Sequence, residues 1–255
     1  MTQQLIYEHP LNERTRTFLR LEHLLAKAAH FAERDDTWDT RSAIEAILDV
    51  ATITGRADVK AELIKELDRH TATLNRVRRQ PGVHSETLDR ILANLATAAG
   101  DLRAIAGSLG QGVREDDLLK LVAQRTAIPG GTCSFDLPLY HRWLAQPTAT
   151  RRQHLGEWLA ELEPARNAIA IVLSLTRTSS APRPVTAPLG FFQEALDSEA
   201  PAQMIRVGVN GDGRLYPEIS GHKNRFSIRF MEGNEGAQPV QSRDDVPFNL
   251  TCCVF

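Results

Sequence analysis

The spacing of apolar residues changes near residue 178, and this change constrains the fold more than any other feature of the chain. Before it, apolar side chains recur three or four apart, the period of one face of a helix. Phe18, Leu21, Leu25, Ala28 and Ala32 mark a first amphipathic helix. A second is predicted over Asp39–Thr54, and a third over Arg56–Arg79 with Val59, Leu63, Leu67, Leu74 and Val77 on one face. Arg76, Arg78 and Arg79 complement the dipole at its C-terminal end, and Pro81–Gly82 stops it. Ser85 is a good N-cap for a fourth helix bearing Leu88, Ile91, Leu95, Ala98, Leu102 and Ile105. So short a connection predicts an antiparallel helical hairpin. Shorter helices are predicted at Glu115–Thr126, Leu137–Ala145 and Thr150–Leu162, with the Gly-rich connector Ile128–Asp136 between the first two. Pro164 suits the first turn of a last helix, Pro164–Thr178.

Three prolines within Ser179–Pro188 exclude a helix interior, and beyond them the period becomes two. Ile205, Val207 and Val209 alternate with Met204, Arg206 and Gly208. Asn210–Gly213 reads as a turn, and Leu215–Ile219 returns as a strand. Phe226, Ile228 and Phe230 alternate with Arg225, Ser227 and Arg229, and Phe248–Val254 forms a last strand after the polar loop Glu232–Pro247. The expectation is an α+β protein. A helical, bundle-like domain covers residues 1–178, and a smaller, mainly antiparallel β-domain covers 179–255.

Charge and cysteine content narrow the function. Thirty basic and 32 acidic side chains leave a formal net charge of −2, so electrostatic recognition must come from local patches. Cys133 and the adjacent pair Cys252–Cys253 form no CxxC, which fits a reduced compartment. The polar start, with Glu8 and Pro10, is not a signal peptide, and the longest apolar run, Ala168–Leu173, is too short to span a membrane. A cytoplasmic protein is expected, without membrane association.

Phosphate-loop, HExxH, GxSxG and EF-hand patterns are absent, so no cofactor or metal is expected. Cys133 with His141 would need a third, orienting group to act as a nucleophile and base, and none is identifiable. Two basic features remain. Arg16, Arg20, His23 and Lys27 share one stripe of the first helix, with only Glu13 near it as an acid. On the strand His222–Arg229, Lys223, Arg225, Ser227 and Arg229 point to one face, and no acid occurs from Ile219 to Met231. Like charges along a strand face repel, so the pattern points to an acidic partner held by guanidinium groups. A nucleic-acid module is the alternative, although the strand's exposed face lacks interleaved aromatics for base stacking.

Five blocks carry a resemblance to a known family: YEHPLNERTRTFLRLEHLL (Tyr7–Leu25), ELIKELDRH (Glu62–His70), REDDLLKLVAQR (Arg114–Arg125), IPGGTCSFDLPLYHRWL (Ile128–Leu144) and LYPEISGHKNRFSIRFM (Leu215–Met231). In order and register they resemble ZapD, the family of bacterial Z-ring-associated division proteins. The resemblance implies a homodimer that binds the C-terminal peptide of FtsZ and cross-links FtsZ filaments into bundles at the mid-cell ring. It implies no enzymatic activity and no cofactor. Arg20 and His141 match family positions tied to FtsZ binding or bundling, and Arg225 matches a basic β-domain position linked to the peptide site. Asp117 stands where some members carry an arginine, and Arg114 is the candidate to supply that charge. The expected binding set is therefore Arg16, Arg20, Arg114, His141, His222, Lys223, Arg225 and Arg229.

Overall fold

A computed structural model describes residues 4–56, 58–79, 85–210, 214–222, 224–233 and 238–254. The expected turns at Pro81–Gly82 and Gly211–Gly213, and Lys223, lie outside the described residues. The architecture is α+β, with a helical unit of residues 18–172 and a strand-rich unit made of residues 1–17 and 173–255.

Helices α1 (Glu13–Ala32), α2 (Thr37–Arg56), α3 (Val59–Arg78) and α4 (Ser85–Ala104) follow the apolar spacing closely. Phe18, Leu21, Leu25 and Ala28 are buried on α1, as are Ile44, Ile47 and Val50 on α2. Asp58 caps α3 by accepting the Ala61 N–H at 3.1 Å. Ion pairs Arg103–Asp68 (2.7 Å) and Arg78–Asp89 (3.1 Å) join positions that ascend on α4 as they descend on α3. That is the expected antiparallel hairpin. The predicted Glu115–Thr126 helix is α6 (Asp117–Thr126), preceded by a separate short α5 (Gln111–Glu115), because Asp116 takes an extended backbone and caps α6 through the Leu119 N–H at 2.9 Å.

After α7 (Pro138–Leu144), the two last predicted helices prove to be one, α8 (Thr148–Arg177), with Pro164 in its interior. A proline there removes the donor for the carbonyl four residues earlier. Here that carbonyl belongs to Ala160, which is exposed, so water can replace the lost partner. Leu155, Leu162, Ala165, Ala168, Ile169 and Val172 are buried on both sides of the proline. Packing thus outweighs the local cost.

Arg151, 6% exposed, binds the turns of the helical unit together. Its guanidinium donates to the carbonyls of Leu144 (3.2 Å), Gln146 (2.6 Å) and Asp35 (2.7 Å) and to Thr40 Oγ1 (3.3 Å). No described helix is long and apolar enough to cross a membrane.

The strand-rich unit is built from two four-stranded antiparallel sheets. One has the order β1 (Gln4–Pro10), β4 (Met204–Asn210), β8 (Val246–Cys253), β2 (Arg183–Ala187). The other has β3 (Phe191–Ala195), β6 (Arg225–Glu232) and β5 (Leu215–His222), with β7 (Val240–Gln241) also paired to β6. Ile205, Val207 and Val209 of β4, Phe248 and Leu250 of β8, and Phe226, Ile228 and Phe230 of β6 form one buried core. Each such side chain contributes about 1.5–3 kcal/mol of burial.

The sequence expectation placed the first residues with the helices, but β1 pairs with β4 from Gln4↔Asn210 to Pro10↔Met204. Glu8 anchors it through Arg177 (2.8 Å) and Arg206 (2.9 Å). Burial raises this carboxyl, but the two guanidinium groups outweigh that effect and hold it below its ordinary value. The proline-rich segment is also a strand, β2, at a sheet edge where Pro184 is tolerated. A 3₁₀ turn, Pro188–Gly190, then leads into β3. Gly190 has φ +70°, and a Cβ there would meet the Ser242 carbonyl oxygen at 2.6 Å, so the entry to β3 requires glycine.

Candidate functional site

The β6 alternation appears in three dimensions as the sequence predicts. Phe226, Ile228 and Phe230 are buried, while Arg225 and Arg229 are exposed with half-buried Ser227 between them. Strand register then adds neighbours that β6 alone does not reveal. Across the outer face, one row holds Ala195, Arg225 and His222, the next Gln193, Ser227 and Ser220, and the third Phe191, Arg229 and Glu218. An open groove of about 300 Å³ lies on this face, with Phe191, Gln193, His222, Arg225 and Arg229 among its lining.

The two arginines differ in setting. Among the described residues, no side-chain hydrogen bond or ion pair engages Arg225, and its row contains no acid. Arg229 stands opposite exposed Glu218 in the register. The acid-free run noted in β6 is therefore real along the strand but incomplete across it. Exposed His222 accepts the Asn224 backbone N–H at Nδ1 (3.3 Å), which leaves Nε2 as its proton-bearing nitrogen.

Arg16 belongs with this group. It pairs with Glu13 (Nε–Oε1 3.1 Å), and its charge acts on half-buried His9, whose ring hydrogen-bonds the Gly221 backbone beside His222. Burial and then the Arg16 charge lower the His9 pKa, partly offset by that hydrogen bond.

The remaining residues occupy the helical unit. Arg20 and His23 are exposed on α1, and Lys27 is half-buried. His141 is exposed in the last turn of α7. Arg114 is turned inward, donating to Thr54 Oγ1 (3.1 Å), the Leu109 carbonyl (2.6 Å) and Ser108 Oγ. It packs α5 against its surroundings, and a partner would have to compete with those contacts for its guanidinium. Asp117 is exposed, with Lys120 Nζ at 3.8 Å. Near His141, the Arg41 guanidinium lies over the rings of Trp38 (5.2 Å) and Tyr140 (5.0 Å), an arrangement the sequence did not suggest.

Cys133 Sγ contacts Asp136 Oδ2 at 3.6 Å, and an acceptor carboxylate does not orient an imidazole toward the thiol. Burial pushes the Cys253 thiol up to about 12 and also raises that of Cys252, so neither forms a ready thiolate. No metal-binding cluster of His, Cys, Asp or Glu occurs among the described residues.

Phe191 and Glu218 are the site residues that sequence reasoning missed. Neither carries a local signal, because each reaches the face only through strand pairing.

The family model described as "ZapD: Cell division protein" matches residues 19–229. A "Cell division protein ZapD" from Methylococcus capsulatus is 43% identical over 255 residues, covering all of both chains. A protein of the same name from Dechloromonas aromatica is 42% identical over 97% of this chain and 98% of its own length. Another from Chromobacterium violaceum is 39% identical, with 98% and 99% covered. The chain is a member of the ZapD family of cell division proteins.

Proposed function

We propose that this protein binds the C-terminal peptide of FtsZ on the β3–β6–β5 face, and that its homodimer cross-links FtsZ filaments into bundles that promote Z-ring assembly and stability. The supporting observation is exposed Arg225 and Arg229 on one strand face, with half-buried Ser227 between them, His222 beside Arg225 and Phe191 beside Arg229. Such a face suits a peptide with both acidic and apolar residues. One contact is weak, since ordering a free peptide costs about 2–5 kcal/mol. A two-fold dimer offers two sites, and many dimers along paired filaments add avidity without new contacts. Arg20 and His141 are proposed to make further FtsZ contacts from the helical unit. The protein acts without catalysis or cofactor, in the cytoplasm at mid-cell.

The test is pelleting and light scattering of FtsZ filaments at matched salt. Arg225→Glu is expected to lose bundling, and tail-deleted FtsZ should fail to bundle with the wild-type protein. Equal bundling by Arg225→Glu would remove the face as the site. Nucleic-acid binding is tested by gel shift at low salt, with no shift expected, because Phe191 and Tyr216, the aromatic rings on this face, are both half-buried and offer little stacking surface for successive bases.

A further inference from the structure

We infer that the β3–β6–β5 face reads an extended segment through two fixed subsites, a carboxylate at the Arg225–His222 end and an apolar side chain four residues away at the Phe191 end. The inference rests on the proposal that this face takes an acidic peptide.

The three rows differ in what they can accept. In the first, Arg225 offers a planar set of N–H donors and exposed His222 keeps Nε2 outside its hydrogen bond with Asn224, while Ala195 is too small to obstruct a ligand. A carboxylate fits there. Gln193, Ser227 and Ser220 make the middle row neutral, able to donate to and accept from a peptide backbone.

In the third row Arg229 stands opposite Glu218, so a second carboxylate would meet an acid as well as a base. Phe191, half-buried beside Arg229, instead offers ring surface, and the arginine stem adds methylene surface. This row favours an apolar side chain.

Arg225 and Arg229 are four residues apart on one strand, roughly 13 Å at strand rise. An extended ligand spans the same distance in four residues, and its i and i+4 side chains point to the same side. The acidic and apolar anchors are therefore separated by three residues.

The experiment uses fluorescence anisotropy with a labelled synthetic FtsZ tail peptide, its single-residue variants and the full-length protein. Arg225→Ala should lose its effect toward one peptide in which a carboxylate is changed to an amide. Phe191→Ala should weaken wild-type peptide binding about fivefold and lose its effect toward one peptide with an apolar residue changed to alanine. The two coupled peptide positions should be four apart. Because Phe191 is half-buried, exposed Glu218→Lys supplies a second measure. It should bind the peptide carrying Glu at the Phe191-coupled position about tenfold more tightly than the wild-type protein does.

Coupled positions at any other spacing overturn the inference. So does wild-type behaviour of both Phe191→Ala and Glu218→Lys. If instead Arg225→Glu binds the unmodified tail peptide as well as wild type, the underlying peptide-site proposal fails, and the subsites fail with it.

Discussion

Replacing Arg151 with methionine keeps most of the side-chain volume while removing the charge and all of its donors. The guanidinium serves three main-chain carbonyls and the hydroxyls of Thr40 and Thr148 from a position that is 6% exposed. Asp35 is exposed, so water can take over its carbonyl. Leu144 is buried and Gln146 half-buried, so their carbonyls are less easily rehydrated. Stranding a buried acceptor costs about 1–3 kcal/mol, and hydrogen bonds to charged groups contribute about 1.5–3 kcal/mol each. Relief of the arginine's own desolvation offsets part of this. The net loss is therefore about 3 kcal/mol, or about 6–12 °C in melting temperature for a chain of this size. Circular dichroism melts of wild type, Arg151→Met and Arg151→Lys measure it. Lysine keeps the charge but cannot span the same carbonyls, so it should fall between the other two. An Arg151→Met protein that melts within about 2 °C of wild type would refute the assignment of this residue as the tie between the turns.

Glu218→Gln should tighten FtsZ tail-peptide binding by at most about fivefold at low salt, since a cross-strand charge pair is worth roughly 0.2–1 kcal/mol, and the gain should vanish at high salt. Anisotropy titrations at two salt concentrations measure both effects. The pKa of His9 is lowered below its ordinary value of 6.5. The folded state then binds fewer protons than the unfolded chain, so this contribution to stability is present above pH 6.5 and is lost as pH falls through the folded value. Denaturant unfolding at several pH values from about 7 to 5 should show a shallower slope for His9→Asn, and an unchanged slope would exclude His9 as its source.

What the sequence revealed was what local periodicity encodes. Phe18, Leu21 and Leu25 located a helix because each turn repeats the same face. Arg225, Ser227 and Arg229 declared an outer face because their neighbours Phe226, Ile228 and Phe230 had to be inside. What escaped was set by pairing or by packing. Strand β1 has exposed Leu5 and Ile6 together with Glu8 and Pro10, so it shows no clean alternation. Adjacent Phe191 and Phe192 face opposite sides of β3, and only its register with β6 shows which one joins the groove. Glu218 lies outside the acid-free run in sequence yet opposite Arg229 in the sheet. Pro164 looked like a helix start because its cost depends on whether Ala160 is open to water. The inward turn of Arg114 depends on acceptors from Thr54 to Leu109 that no motif specifies.

The pairing of β1 with β4 also sets a timetable for biosynthesis. Glu8 and its partner Arg206 stand 198 positions apart. At about 5–20 residues per second, the ribosome delivers β4 roughly 10–40 s after β1 has emerged. Throughout that interval Leu5, Ile6 and Tyr7 have no strand to pair with, although residues 18–172 of the helical unit are synthesised within it. An unpaired strand is a template for wrong partners, including the same strand on neighbouring nascent chains. For this protein the hazard of misassembly is greatest during translation, and it ends only when the C-terminal sheet arrives to claim the first strand.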